Sequence, residues 1–214
     1  MQIAVLLFEG FTTLDAVGPY EILSRLPGAE TVLVAKEPGP VRNDQGSLAL
    51  VADRSLAEVP HPDLVLVPGG PETRRAAHDL EIREWLRTAD STSTWTTSVC
   101  TGSLLLAAAG LLDGRRATTH WLAYEELREL GVEPTGERVV FDGKYVTAAG
   151  VSSGIDMGLH LFGRIAGDDA AMTVQLLTEY DPQPPYDAGS PLKAPAHLVE
   201  HWRGTRTEEL PQSR

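Results

Sequence analysis

Apolar and polar positions alternate between short solid runs and helical spacing along most of this chain. Ile3 to Phe8 is an unbroken apolar run, as a strand buried on both faces requires. A polar loop from Glu9 to Thr13 leads into Leu14 to Leu23, where Val17, Ile22 and Leu23 share one helical face. Pro19 fits only the first turn of such a helix. Thr31 to Ala35 and Asp63 to Val67 read as further strands, the second ending in Pro68-Gly69-Gly70-Pro71. Asp79 to Ala89 has helical spacing. Ser93 to Val99, rich in β-branched residues, predicts a strand, and Thr101 to Ala109 a helix stopped by Gly110. Trp121 to Leu130 predicts a helix ending at Gly131. Arg138 to Phe141 and Tyr145 to Ala148 flank the hairpin turn Asp142-Gly143. Ile155 to Ile165 and Ala170 to Tyr180 read as two apolar-faced helices.

Short strands alternating with helices predict an α/β fold: a doubly wound, mostly parallel sheet with helices on both faces. No internal repeat interrupts it. The Pro-rich stretch from Asp181 to Pro191 predicts an extended strap, followed by a helix near Pro195 to Arg206. Residues 1–206 are expected to form one domain, and 207–214 a frayed tail.

Composition adds bounds. A length of 214 residues suits one domain with a substantial core. A net charge of -12 disfavours nucleic acid and anionic membranes as partners, because either calls for a basic patch. The N-terminus lacks a basic, long-cored leader, and no run approaches a membrane span, so a cytoplasmic location is expected. A single cysteine excludes an internal disulfide and fits a reducing compartment.

That cysteine, Cys100, falls between a strand and a helix with almost no loop. Such an elbow exposes a nucleophile, and Gly102 relieves crowding at the turn. The first helical amides and the helix dipole favour a thiolate. A small buried thiol at a strand end is the plain alternative. Ligands of an open parallel sheet bind beyond the carboxyl ends of its strands. Cys100, Gly69, Gly70 and Asp15 should meet there. The glycines let backbone amides approach a ligand, or simply make a tight turn. Asp15 is either an acid/base or a helix N-cap. His120, 20 residues after Cys100, is a possible base, although Thr118 or Thr119 reads as a cap with His120 in the first turn. No metal-ligand spacing and no nucleotide-binding glycine pattern is present, so no metal and no cofactor are expected.

Several ordered pieces resemble the PfpI-like superfamily, a flavodoxin-like group related to class I glutamine amidotransferases. They are Leu14 to Pro19, Val67 to Gly70, Ser98 to Ser103, Ala117 to Trp121 and Thr147 to Asp156. Within that superfamily, Lys36 to Pro40, Ala109 to Leu112 and Pro184 to Pro191 are most similar to the isocyanide hydratases. Peptidase-like members carry His after the nucleophile, where this chain has Thr101. Many glyoxalase-type members carry Glu where Asp15 stands. The resemblance implies a cofactor-independent hydration of a small isocyanide. Cys100 would be the nucleophile and Asp15 the acid/base. The amides of Gly70 and Thr101 would form an anion pocket, and the Thr101 hydroxyl would orient substrate. It also implies a homodimer. Glyoxalase- or deglycase-type activity on small carbonyls is the alternative, as is a ligand- or oxidation-sensing domain like those of AraC-type regulators.

Overall fold

A computed structural model describes residues 1–209. The chain divides into two compact units, Met1–Thr178 and a second beginning at Glu179.

In the first unit β1 (Gln2–Leu6) leads to α1 (Thr13–Leu23), then β2 (Glu30–Ala35), β3 (Gly39–Arg42), β4 (Ala49–Ala52) and β5 (Arg54–Ser55). Next come β6 (Leu64–Val67), α2 (Thr73–Ala77), α3 (Leu80–Thr92), β7 (Trp95–Val99) and α4 (Gly102–Ala108). β8 (Arg116–Ala117), α5 (Tyr124–Glu129), β9 (Glu133–Pro134), β10 (Val139–Asp142), β11 (Tyr145–Ala148), α6 (Ser153–Ala166) and α7 (Asp168–Leu177) complete it.

The central sheet has seven strands in the order β10-β11-β7-β6-β1-β2-β5. Every pair in it is parallel except β10 with β11. The expected fold class is therefore observed. β1 and β6 lie at the centre, and Ala4, Val5, Leu6 and Leu64 to Val67 are shut off from solvent. Their unbroken apolar runs follow from helices covering both faces.

Close helix packing positions α1. An added Cβ on Gly18 would lie 3.2 Å from Ile155, and one on Gly154 would lie 3.0 Å from Pro19. These small residues let α1 and α6 approach across a bare backbone. Pro19 sits inside α1, not in its first turn as the spacing predicted. The amide it lacks would have bonded the Asp15 carbonyl one turn earlier.

Some elements escape the sequence pattern. The antiparallel pair β3–β4 contains Pro40 and mostly exposed or half-buried residues, so no clean alternation marks it. The two-residue pair β8–β9 is too short to leave a period. The helix expected from Trp121 splits into a 3₁₀ turn, Trp121–Ala123, followed by α5. The helix expected to reach Tyr180 stops at Leu177, and Glu179 takes a φ of 48°.

In the second unit the Pro-rich stretch runs without helix or strand, and the Lys193–Asp187 ion pair at 2.8 Å spans its later part. α8 (Ala196–Glu209) follows and extends past the expected end at Arg206. Most of the expected tail, 210–214, lies outside the described residues.

Candidate active site at the strand ends

Cys100 directly follows β7 with a φ of 58°, in the left-handed region that a residue with a Cβ rarely adopts. Such a backbone costs about 1–3 kcal/mol and persists only where its surroundings hold it. Its amide donates to the carbonyls of Ala149 at 2.7 Å and Ala148 at 3.1 Å. Its carbonyl accepts from the Thr119 hydroxyl at 3.0 Å and from Ser103 at 3.3 Å. Gly102 is obligatory here, because a Cβ would stand 2.2 Å from the Val67 carbonyl oxygen. The elbow therefore lies directly against the end of β6.

Asp15 is the third residue of α1 and is 0 % exposed. It is not the N-cap; Thr12 holds that position. One carboxylate oxygen accepts the Gly69 amide at 2.9 Å. The other, Oδ1, is buried and meets no N–H or O–H donor; the carboxyl's remaining partner is the Cys100 thiol. The Asp15 carboxyl and the Cys100 thiol act on each other directly. Burial pushes Asp15 up to about 7 from an ordinary 3.8; the Gly69 amide and the thiol oppose this, and the carboxylate of Asp44 adds to it. Cys100 is 6 % exposed, and burial pushes its thiol up to about 12. The charge on Asp15 adds to that rise, while the amides of Thr101 and Val151 oppose it. The helix start does favour the thiolate, as the elbow suggests, but burial outweighs it. The two groups titrate as a pair that holds two protons below about 7 and one proton above it.

The other expected residues gather at the same strand ends, with different tasks. The Gly69 amide is engaged by Asp15. The Gly70 amide donates to the Thr101 hydroxyl at 3.0 Å, and that hydroxyl also lies 2.8 Å from Thr73 Oγ1. The Thr101 side chain thus ties the glycine loop to the elbow. Both glycines are required sterically: a Cβ on Gly69 would meet the Thr101 amide nitrogen at 2.5 Å, and one on Gly70 the Gly10 carbonyl oxygen at 2.4 Å. The amides that reach the sulfur belong to Thr101 and Val151.

His120 caps the 3₁₀ turn itself, its Nδ1 accepting from Leu122 at 3.4 Å. Its ring edge would lie 3.1 Å from a Cβ on Gly150. Thr118 and Thr119, read as cap residues, are instead fully buried, and Thr119 fastens the Cys100 carbonyl. Sequence reasoning missed Thr119, Val151 and Asp44. Thr119 had one signal, a second threonine beside His120 with no helix of its own to cap. Among the described residues no group of three or more His, Cys, Asp or Glu is placed to hold a metal, and no helix is long and apolar enough to cross a membrane.

A strained cysteine at a strand-to-helix elbow, faced by a buried carboxyl from the first helix, defines a class that comparison identifies. The chain belongs to the DJ-1/PfpI family, whose pattern matches residues 1–163. It is 42% identical over 203 residues to the isonitrile hydratase of Pseudomonas putida, covering 95% of this chain and 89% of that one. It is also 33% identical over 176 residues to the HTH-type transcriptional regulator CdhR of Pseudomonas aeruginosa, spanning 79% of this chain but 52% of the regulator. A crystal structure of a THiJ/PfpI family protein from Pseudomonas syringae superposes with a TM-score of 0.93 at 39% identity, covering 97% of this chain and 86% of that one.

Proposed function

We propose that this chain is a hydratase that converts isocyanides, also called isonitriles, to N-substituted formamides, with Cys100 as nucleophile and Asp15 as acid and base. The observation that carries this reading is the buried Asp15 carboxyl, with one oxygen that no N–H or O–H donor meets, beside the thiol on its left-handed elbow. The 42% identity to an isonitrile hydratase supports it.

The reactive state is the pair holding one proton. The shared proton first moves from the thiol to Asp15; the sulfur so freed bonds to the terminal carbon of the isocyanide as Asp15 gives that proton to the same carbon. The carbon–nitrogen triple bond becomes a double bond, and a thioimidate forms. Asp15, now a carboxylate, takes a proton from water as the water oxygen adds to the carbon. It passes that proton to nitrogen. The new hydroxyl gives its proton back to Asp15 as the C–S bond breaks. Formamide leaves, and the one-proton pair is restored. The amides of Thr101 and Val151 stabilise charge on sulfur at both ends of the cycle. Each step uses only the thiol, the carboxyl and water, so no cofactor is invoked. The family resemblance extends the proposal to a homodimer, which sedimentation measures.

The test is a substrate panel. Purified protein is incubated with an aryl isocyanide, with methylglyoxal and with a casein-type peptide, and products are identified by mass spectrometry. Formamide from the isocyanide at multiple turnover is expected. Turnover of methylglyoxal alone would establish the glyoxalase-type reading. Binding with no turnover would favour a sensor like the regulators that share this domain.

A further inference from the structure

The loop Pro68-Gly69-Gly70-Pro71 beside the elbow offers only two amide N–H groups, because its prolines have none. Gly69 gives its amide to Asp15 at 2.9 Å. Gly70 gives its amide to the Thr101 hydroxyl oxygen at 3.0 Å, and the proposed chemistry has not used that contact. A backbone donor beside a nucleophile stabilises an oxyanion standing about 2.7–3.1 Å from it. Here an oxygen of the chain itself already stands at that distance. It is held in place from two sides. Thr73, 1 % exposed at the start of α2, sets its own hydroxyl 2.8 Å from the Thr101 hydroxyl. The Gly70 carbonyl accepts from the Thr101 hydroxyl at 3.3 Å and from the Thr73 amide at 3.1 Å. The contact also lies at the accessible rim of the site: Gly70 and Thr101 are half-buried, while Gly69, Cys100 and Gly102 are buried.

We propose that the Thr73–Thr101 hydroxyl pair determines specificity: it fills the oxyanion position at the Gly70 amide and so turns the site against carbonyl substrates. The proposal rests on Cys100 being the nucleophile. Its logic is where charge develops. When sulfur bonds to an aldehyde carbon, the π pair of the carbonyl moves onto oxygen, and that alkoxide calls for a donor until Asp15 protonates it. An isocyanide brings no oxygen. Its new charge falls on the terminal carbon, where Asp15 delivers the proton. Asp15 also takes a proton from the water that adds next, so no step of the hydration leaves an anionic oxygen. A free Gly70 amide would therefore speed an aldehyde and do little for an isocyanide. In this chain a carbonyl substrate has to displace a hydroxyl with three protein contacts, whereas an isocyanide displaces nothing. Obstruction of the competing substrate discriminates as well as added attraction for the right one.

Thr101→Ala frees the Gly70 amide and keeps the backbone amide that acts on the sulfur. The readout is lactate formed from methylglyoxal. Methylglyoxal and water balance to lactate with no outside oxidant, because the aldehyde carbon is oxidised as its neighbour is reduced. In Thr101→Ala, lactate formation should rise at least about tenfold over wild type, against the roughly 10²- to 10³-fold that a full oxyanion donor commands. Thr101→Ser keeps the hydroxyl and should match wild type. Thr73→Val releases the Thr101 hydroxyl on one side and should raise lactate formation by less than Thr101→Ala does. A folded Thr101→Ala protein, judged by circular dichroism, that forms lactate no faster than wild type would overturn the proposal. A rise in Thr101→Ser equal to that in Thr101→Ala would overturn it too. If Thr101→Ala does not fold, Thr73→Val decides, and no rise there would overturn the proposal equally. These readings use no isocyanide. Failure of wild type to yield formamide would end the hydratase reading alone, so the two failures are separate outcomes.

Discussion

Two buried aspartates sit at opposite ends of the same sheet, and their surroundings differ in kind. Asp90, near the end of α3, is 8 % exposed and meets the amino ends of β7 and β11. Thr96 donates to it at 2.7 Å, the Tyr145 hydroxyl at 3.1 Å, and Lys144 pairs with it at 3.1 Å. Both its oxygens are served and a cation stands beside it. Asp15, at the carboxyl ends, has one amide donor and the weakly bonding Cys100 thiol as partners, and a second carboxylate acting on it. A satisfied buried acid anchors structure; an under-satisfied one is held ready to move a proton. In an open parallel sheet the carboxyl ends are also where ligands bind.

The largest effect should come from the thiol. Cys100→Ala should abolish turnover, because the chain has no second thiol, and a substrate-mass adduct trapped on wild type should be missing from it. Full activity in that variant would end the nucleophile assignment.

The two aspartates should then separate. Asp15→Asn keeps an acceptor for the Gly69 amide but cannot carry the proton, so turnover should fall by roughly 10²-fold or more while the fold persists. Asp90→Ala strands Thr96, Lys144 and the Tyr145 hydroxyl and should cost about 2–3 kcal/mol of stability, with turnover per folded molecule nearly unchanged. Denaturant titration and turnover on both variants decide it. A reversal of the two outcomes would break the comparison.

Stability against pH sharpens it further. Asp15 is raised in the folded protein, so the folded state binds its proton more tightly than the unfolded chain does. Its contribution is fully present below about pH 4 and is lost as pH rises to about 7, at up to about 1.4 kcal/mol per unit. Asp15→Asn should flatten that fall, so the variant gains on wild type between pH 5 and pH 8 in thermal melts. Parallel curves would mean that Asp15 is ionised throughout.

The smallest effect concerns the elbow. Thr119→Val removes the shorter of two hydroxyl contacts to the Cys100 carbonyl and should cost about 1 kcal/mol. Turnover should fall more than the melting temperature implies, because the lost contact holds the strained nucleophile. A drop in stability with unchanged turnover would make Thr119 a packing residue only.

The amino-acid sequence by itself determined the strand-and-helix alternation, because an apolar run such as Leu64 to Val67 has only one burial pattern open to it. It also determined the elbow, since a strand running into a helix at Val99-Cys100-Thr101-Gly102 leaves no room for a loop. It placed Asp15 just past the first strand, yet not whether that residue caps a helix or is buried beside a thiol. That choice belonged to the tertiary structure, because the Gly69 amide that meets the buried carboxyl comes from a loop 54 residues away. The roles of Thr119, Val151 and Asp44 were decided there too. Each acts through a bond or a charge that crosses between distant segments, and no local spacing encodes such a crossing.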